Sequence, residues 1–267
     1  MKITIIGGGN LGISIAEGLI KSGFVAAPDI TVTRRNLAHL SHLTKKNVQV
    51  SSDNVLAIQS ADLIILAVKP AEVRSVLLQL QGFITTNQVF ISVATGVSTQ
   101  DIEGILGNEI AVFRAMPNTA IAIQESMTCV AANAAATELQ TEMVLGLFGK
   151  LGLVVVIPER LMEAATVLAA CGIAYAMRFI RAASQGGIEI GFEAALALEI
   201  AAQTVRGAAS LLLQNQTHPE QEIDKVTTPQ GCTIAGLNEM EHQGFSSALI
   251  KGVQTSYKKI AKIKEDF

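Results

Sequence analysis

The 267-residue sequence has no tryptophan, two tyrosines and nine phenylalanines, so aromatic side chains make up only 4% of it. A core built on large rings is excluded, and close packing of aliphatic, alanine-rich helices is expected in its place. Charge is sparse too, at 16% of residues with a net charge of -3 and an isoelectric point near 5.8. No basic stripe stands out, which argues against a nucleic-acid surface. The three cysteines, Cys129, Cys171 and Cys232, are far apart and odd in number. That pattern suits a reduced, cytoplasmic setting and carries no zinc-ligand spacing, so no metal site is predicted.

Long uninterrupted apolar runs are also missing, although mean hydropathy is high at +0.41. The most apolar stretches are Leu161–Ile180 and Ala194–Leu213. The first contains Glu163 and Arg178, the second Glu199, Gln203 and Arg206. A membrane-spanning helix needs roughly 20 residues with few or no charges. Both stretches read instead as helices buried on most sides in a soluble assembly, and no membrane partner is expected. The chain opens on a strand pattern rather than a charged segment followed by an apolar one, so no secretory leader is expected either.

What the sequence does have is glycine at chosen places. Ile3 to Ile6 is a short strand pattern, and Gly7, Gly9 and Gly12 follow on the G-x-G-x-x-G template. Leu11, Ile15 and Leu19 then recur at helical spacing. In such a strand–turn–helix unit Gly7 permits the turn and Gly9 lets the backbone approach a pyrophosphate. Gly12 lets the helix lie close on the strand. The helix N-terminus offers free N–H groups and a partial positive charge to the phosphates. The next strand pattern, Ile30 to Thr33, ends in Arg34-Arg35-Asn36. About 20 residues past the glycines an acid bonds a ribose 2′-hydroxyl, whereas arginine accommodates a 2′-phosphate. Two arginines and no acid predict NADP(H) ahead of NAD(H), with NAD(H) left open.

Further strands are predicted at Val48–Val50, Leu63–Val68, Gln88–Val93, Ile110–Phe113, Thr128–Ala131 and Leu153–Ile157. Leu63–Val68 is apolar throughout, as in a parallel strand covered on both faces. Between the strands, Asp53 or Asn54 suits a helix cap, Pro70 starts a helix, and Ser98 or Thr99 caps another. Thr137 opens a Thr-x-x-Gln capping box, with Leu139, Met143, Leu147 and Phe148 assigned to the core. The alternation makes residues 1–157 an α/β, doubly wound (Rossmann) parallel sheet that serves as the dinucleotide-binding domain.

From Pro158 the pattern changes. Residues 158–267 show no strand, only alanine- and leucine-rich helices broken by Gly172, Gly186-Gly187, Gly191 and a polar loop over 215–229. The lysines Lys258, Lys259, Lys262 and Lys264 read as a solvated helix end. So apolar a helical layer needs burial against a second subunit, because obligate interfaces resemble a domain core. At least a homodimer is predicted, with a larger assembly of dimers left open.

The motifs taken together resemble the pyrroline-5-carboxylate reductase family. They are Ile6-Gly7-Gly8-Gly9-Asn10-Leu11-Gly12, Ala67-Val68-Lys69-Pro70, Arg114-Ala115-Met116-Pro117-Asn118-Thr119, Ala201-Ala202-Gln203-Thr204, and Thr228-Pro229-Gln230-Gly231-Cys232-Thr233-Ile234-Ala235-Gly236-Leu237. The resemblance covers nearly the whole chain. It implies an NADPH-dependent oxidoreductase that reduces the cyclic imine 1-pyrroline-5-carboxylate to L-proline, the last step of proline biosynthesis. It assigns cofactor binding to Gly7, Gly9, Asn10, Leu11, Gly12, Arg34, Arg35, Asn54, Ala67, Val68, Lys69, Pro70, Val93, Ala94 and Thr95. Gly231, Cys232 and Thr233 are implied to hold the substrate, backbone N–H groups there receiving its carboxylate. The Thr233 hydroxyl would face the ring nitrogen and act in catalysis. The family's usual Pro-Gly-Gly is here Pro229-Gln230-Gly231. Its usual Gly-Ser-Gly-Pro-Ala-Tyr is here Ala170-Cys171-Gly172-Ile173-Ala174-Tyr175. These departures leave two alternatives open, a reductase of a related small imine or keto acid and an inactive nucleotide-sensing paralogue.

Overall fold

A computed structural model describes the chain over residues 1–265, with side chains through Ala261; the side chains of Lys262 and Lys264 lie outside the described residues. Contacts divide the chain into two compact units, Met1–Cys171 with the chain from Ser256 onward, and Gly172–Thr255.

The first unit is built on β1 (Ile3–Ile6), β2 (Ile30–Thr33), β3 (Gln49–Ser51), β4 (Leu63–Leu66), β5 (Val89–Ser92), β6 (Ala111–Met116), β7 (Ser126–Ala132) and β8 (Gly152–Val156). They form one sheet in the order β3-β2-β1-β4-β5-β6-β7-β8. Every pairing is parallel except β6 with β7, which is antiparallel. The reversal follows from the connection: only a short 3₁₀ turn, Thr119–Ile123, joins β6 to β7. A parallel return would need a crossover of a dozen or more residues. The predicted parallel, doubly wound sheet is present, with this one antiparallel pairing in it.

Side chains alternate across the sheet. Ile3, Ile5, Leu63, Ile65, Val89 and Ile91 enter one core, and Ile6, Ile64, Leu66, Phe90 and Val112 enter the other. Helices cover both faces, and for that reason β1, β4 and β5 are buried at every residue. α1 (Asn10–Lys21), α2 (Ser41–Thr44), α3 (Asn54–Ile58), α4 (Pro70–Leu80), α5 (Thr99–Leu106) and α6 (Glu138–Gly149) are the connections. Ser98 caps α5 and Thr137 caps α6, each in a full capping box. In α6 Val144 is buried with Leu147 and Phe148, while Leu139 is 76% exposed. Its first-turn position carries it off the buried face, which corrects its assignment to the core. The outer strand β8 leaves Leu153 and Val156 about 60% exposed.

Behind β6 lies a buried charge cluster. Arg114 is only 1% exposed; its Nη1 donates to Glu159 Oε1 at 3.3 Å and lies 3.5 Å from Glu163 Oε1. Glu159 in turn accepts from the Thr99 amide at 2.7 Å and from the Thr99 hydroxyl. The cluster ties β6 and the start of α5 to the helical turn before α7 (Met162–Ala165). Among the described residues, Arg114 Nε and Nη2 have no partner. After α7 the helix widens to π geometry over Thr166–Cys171.

The second unit holds α8 (Gly172–Glu189), α9 (Ala194–Asn215), α10 (Pro219–Val226), α11 (Cys232–His242) and the start of α12 (Phe245–Glu265). Gly172 and Gly186-Gly187 do not break helices as predicted: the first opens α8 and the others lie inside it. Gly187 is a contact point, since an added Cβ would come 3.1 Å from Ala197 Cβ on α9. Gly191, at φ +110°, does make the break. The predicted polar loop contains α10, nucleated by a His218–Gln221 capping box around Pro219. Among the described residues α8 buries only Ser184, and α9 only Ala197 and Ala201. Leu198, Ile200, Leu211 and Leu213 face outward on α9. The stretches Glu159–Glu189 and Ala194–Asn215 are long and apolar enough to cross a membrane by length and composition, with 17% and 11% of their most apolar windows buried. The burial on most sides expected of them is not supplied by this chain alone.

Two stability predictions follow from this packing. An alanine Cβ at Gly12 would lie 2.1 Å from the Gly7 carbonyl oxygen. Gly12→Ala should therefore destabilise by about 1–3 kcal/mol, lowering the melting temperature by roughly 2–12 °C in calorimetry. Arg114→Met would strand two partly buried carboxylates, at a cost of about 3 kcal/mol. Adding Glu163→Leu to that variant should recover part of the loss in the same measurement.

Candidate active site

At the carboxyl end of β1 the chain turns at Gly7, whose φ is +111°. A Cβ there would come 2.5 Å from the Ala67 carbonyl oxygen, so only glycine fits beside the strand β4 leads out of. The Gly7 and Gly8 amides donate to Thr33 O at 3.1 and 2.7 Å, fixing the turn to the end of β2. Gly9 is the N-cap of α1, and a Cβ added there would meet nothing within 4 Å. α1 has no side-chain cap and no acid in its first turn. An uncapped helix start beside an open glycine is a seat for an anion.

This turn floors a cavity of about 630 Å³. Of the residues singled out from the sequence, Gly7, Gly9, Arg34, Arg35, Asn54, Ala67, Val68 and Lys69 line it. Asn10, Leu11 and Gly12 form the first turn of α1, outside the cavity walls. Pro70 begins α4, and Val93, Ala94 and Thr95 follow β5; these too are outside the walls. Val93 is nonetheless tied to the wall segment, donating to Leu66 O at 3.1 Å.

The two arginines divide their work. Arg34 Nη1 donates to the Gly8 carbonyl at 2.7 Å, stiffening the glycine turn. Arg35 Nη2 reaches Glu72 Oε1 on α4 at 2.8 Å, joining opposite walls of the cavity. Asp53, not Asn54, caps α3, accepting from the Val55 and Leu56 amides at 2.8 and 3.1 Å. Asn54 is thereby free to accept from the Thr33 hydroxyl at 2.7 Å and to line the cavity. His39, Ser52, Glu72, Ser75 and Gln79 also line it and were not singled out from the sequence. The α4 residues had a readable signal, a helical turn repeat from Glu72 through Ser75 to Gln79 on the side opposite its apolar stripe.

A second cavity, about 550 Å³, is lined by Ser98, Arg114, Glu159, Arg160, Glu163 and Tyr257. Its two arginines face two glutamates, so its charges already balance.

Gly231, Cys232 and Thr233 belong to the second compact unit. Thr228 to Gly231 makes a tight turn in which the Gly231 amide donates to Thr228 O at 2.9 Å. Pro229 occupies its second position and Gln230, at φ +59°, its third. That pattern normally calls for glycine at the third position. Gly231 then caps α11 with no side-chain cap of its own, leaving the amides of Cys232 and Thr233 at an open helix start. A Cβ on Gly231 would lie 2.6 Å from Thr228 Oγ1, so a larger residue there would have to displace the Thr228 side chain. Cys232 and Thr233 are exposed.

The chain is similar to known proteins over nearly its whole length. Residues 159–263 match the family model described as pyrroline-5-carboxylate reductase dimerisation. Residues 2–96 match the model described as NADP oxidoreductase, coenzyme F420-dependent. The chain is 45% identical to pyrroline-5-carboxylate reductase 1 of Dictyostelium discoideum, over 98% of its own length but 49% of that protein's. It is 43% identical to pyrroline-5-carboxylate reductase 2 of the same organism, over 98% of its own length and 92% of the other's. Among solved structures, a pyrroline-5-carboxylate reductase from Coxiella burnetii superposes with a TM-score of 0.89 at 30% identity, each chain covered to 98%. The NADP-bound pyrroline carboxylate reductase of Plasmodium falciparum superposes at 0.91 with 23% identity, over 99% of this chain and 98% of that one, which speaks for the fold. With a 43% identical relative covered over nine-tenths of its length, this chain belongs to the pyrroline-5-carboxylate reductase family.

Proposed function

We propose that the chain reduces 1-pyrroline-5-carboxylate to L-proline with NADPH, as a homodimer or an assembly of dimers in the cytoplasm. The observation that carries this reading is the uncapped start of α1 over an open Gly9, in a chain of this family. Residues 1–157 would be the dinucleotide-binding domain and residues 158–267 the helical dimerisation and substrate domain. The outward apolar residues of α8 and α9 support the dimer, because that surface needs a partner of like character.

The groups of this chain fit a dinucleotide. The free amides opening α1 suit a pyrophosphate, and the cationic end of β2 suits a 2′-phosphate. Gly7, Gly9, Asn10, Leu11, Gly12, Arg34, Arg35, Asn54, the segment Ala67–Pro70 and the segment Val93–Thr95 are assigned to the cofactor. NADPH when bound supplies a hydride for the imine carbon. Gly231, Cys232 and Thr233 are assigned to the substrate, the amides at the head of α11 receiving its carboxylate. The Thr233 hydroxyl would hydrogen-bond the ring nitrogen and orient it for protonation. A protonated imine accepts hydride far more readily than a neutral one. Holding the two rings face to face then accounts for most of the acceleration.

The test is loss of absorbance at the reduced-nicotinamide band when purified protein, NADPH and pyrroline-5-carboxylate are mixed. Substrate-dependent oxidation is expected. NADPH binding without oxidation would overturn the reading in favour of a nucleotide sensor, and oxidation only with another imine in favour of a related reductase. Thr233→Ala should lower kcat by roughly 10²-fold or more while leaving the Kd for NADPH within about twofold, and Thr233→Ser should restore much of the rate. An unchanged kcat in Thr233→Ala would remove that residue from the mechanism.

A further inference from the structure

The cofactor cavity contains an acid in a place where the glycine-loop pattern does not supply one. The end of β2 bears Arg34 and Arg35 and no carboxylate. Arg34 is already committed to the Gly8 carbonyl at 2.7 Å, inside the turn. Arg35 is the cation still able to move, with its side chain 92% exposed, and it is held by Glu72 at 2.8 Å. Glu72 comes from the opposite wall, in the first turn of α4, where the helix N-terminus favours a negative charge. Both residues line the same cavity.

We propose that Glu72 sets cofactor specificity, by competing with a 2′-phosphate for Arg35 and so holding the chain near dual use of NADPH and NADH. The inference rests on the cofactor reading above. An exposed ion pair contributes little stability. A dianionic phosphate, which makes stronger charge-assisted hydrogen bonds, can therefore draw Arg35 away from Glu72. Doing so leaves an unpaired carboxylate in the same cavity as the phosphate, and that repulsion lowers the gain. With NADH there is no phosphate to compete. The Arg35–Glu72 pair stays closed, and the Glu72 carboxylate is an acceptor suited to a ribose hydroxyl, the part an acid at the end of β2 plays elsewhere. A single carboxylate thus weakens one cofactor's advantage and serves the other.

Calorimetric titration of the full chain with NADPH and with NADH, without substrate, tests this. In Glu72→Gln the ratio of the NADPH to the NADH association constant should rise about 5- to 10-fold. The rise should be clearly smaller when Glu72→Gln is made in an Arg35→Gln background, because the competition for Arg35 is then gone and only the direct effect of the carboxylate on the nucleotide remains. Both side chains lie at the surface, so melting temperatures should stay within a few degrees and report that folding is intact. If both nucleotides bind and their ratio is unchanged in Glu72→Gln, the inference fails and the cofactor reading stands. A rise of the same size in the Arg35→Gln background also overturns it, since the competition would not involve Arg35. If neither nucleotide binds the unaltered chain, both fail together.

Discussion

Three backbone segments meet at the carboxyl end of β1 more closely than any side chain allows. The Gly7 turn lies against the Ala67 carbonyl on one side and the head of α1 on the other, and a Cβ at Gly7 or Gly12 would overlap backbone oxygen. From this contact the rest of the site takes its position. The strand order places β2 and β4 on either side of β1, so their ends become the two walls above the turn. Amides of the turn bind the end of β2, Arg34 binds the turn in return, and α1 starts with its N–H groups directed at the open space. The cradle is made of backbone, and backbone held this tightly needs no reorganisation to receive a phosphate group.

Much of this was legible in the chain itself. Strand positions, the caps at Ser98 and Thr137, the glycine turn and the change of style after Pro158 all follow from local rules of period, capping and backbone freedom. What local rules could not supply was direction and depth. Nothing in the alternation of Ser126–Ala132 says that it runs against β6; the short connection does, and its length is plain only once both strands are bounded. Leu139 has the right chemistry for a core but stands on the wrong side of α6. Gly172 and Gly186-Gly187 looked like breaks because glycine weakens helices, yet Gly187 is there to let α9 approach. In the site, Arg34 and Arg35 were readable as a pair but not their opposite fates. The second of them is decided by Glu72, a residue on another wall whose part depends on tertiary structure.

The helical unit raises a different issue. Its surface is apolar along α8 and α9, with small residues where the two helices touch and large ones where they do not. A single chain leaves that surface uncovered, and membership of a family whose helical model is described as dimerisation supplies a coherent reason. Such a division lets the sheet hold one job, a rigid cradle, while the helices hold another. It also explains the sparse aromatics: alanine and glycine contacts bring helices close without large rings.

The outer strand β8 carries a hazard of its own. Its residues Leu153-Val154-Val155-Val156, continued by Ile157, are β-prone, uncharged and free of proline, with Leu153 and Val156 exposed at the sheet's border. Segments of that kind template aggregation while a nascent chain is incomplete. Here Lys150 stands just ahead of the run and Pro158-Glu159 just after it. A charge and a proline at the two ends act as gatekeepers against cross-strand stacking between molecules. Glu159 thus serves twice, guarding the emerging polypeptide and later locking Arg114 in the finished protein.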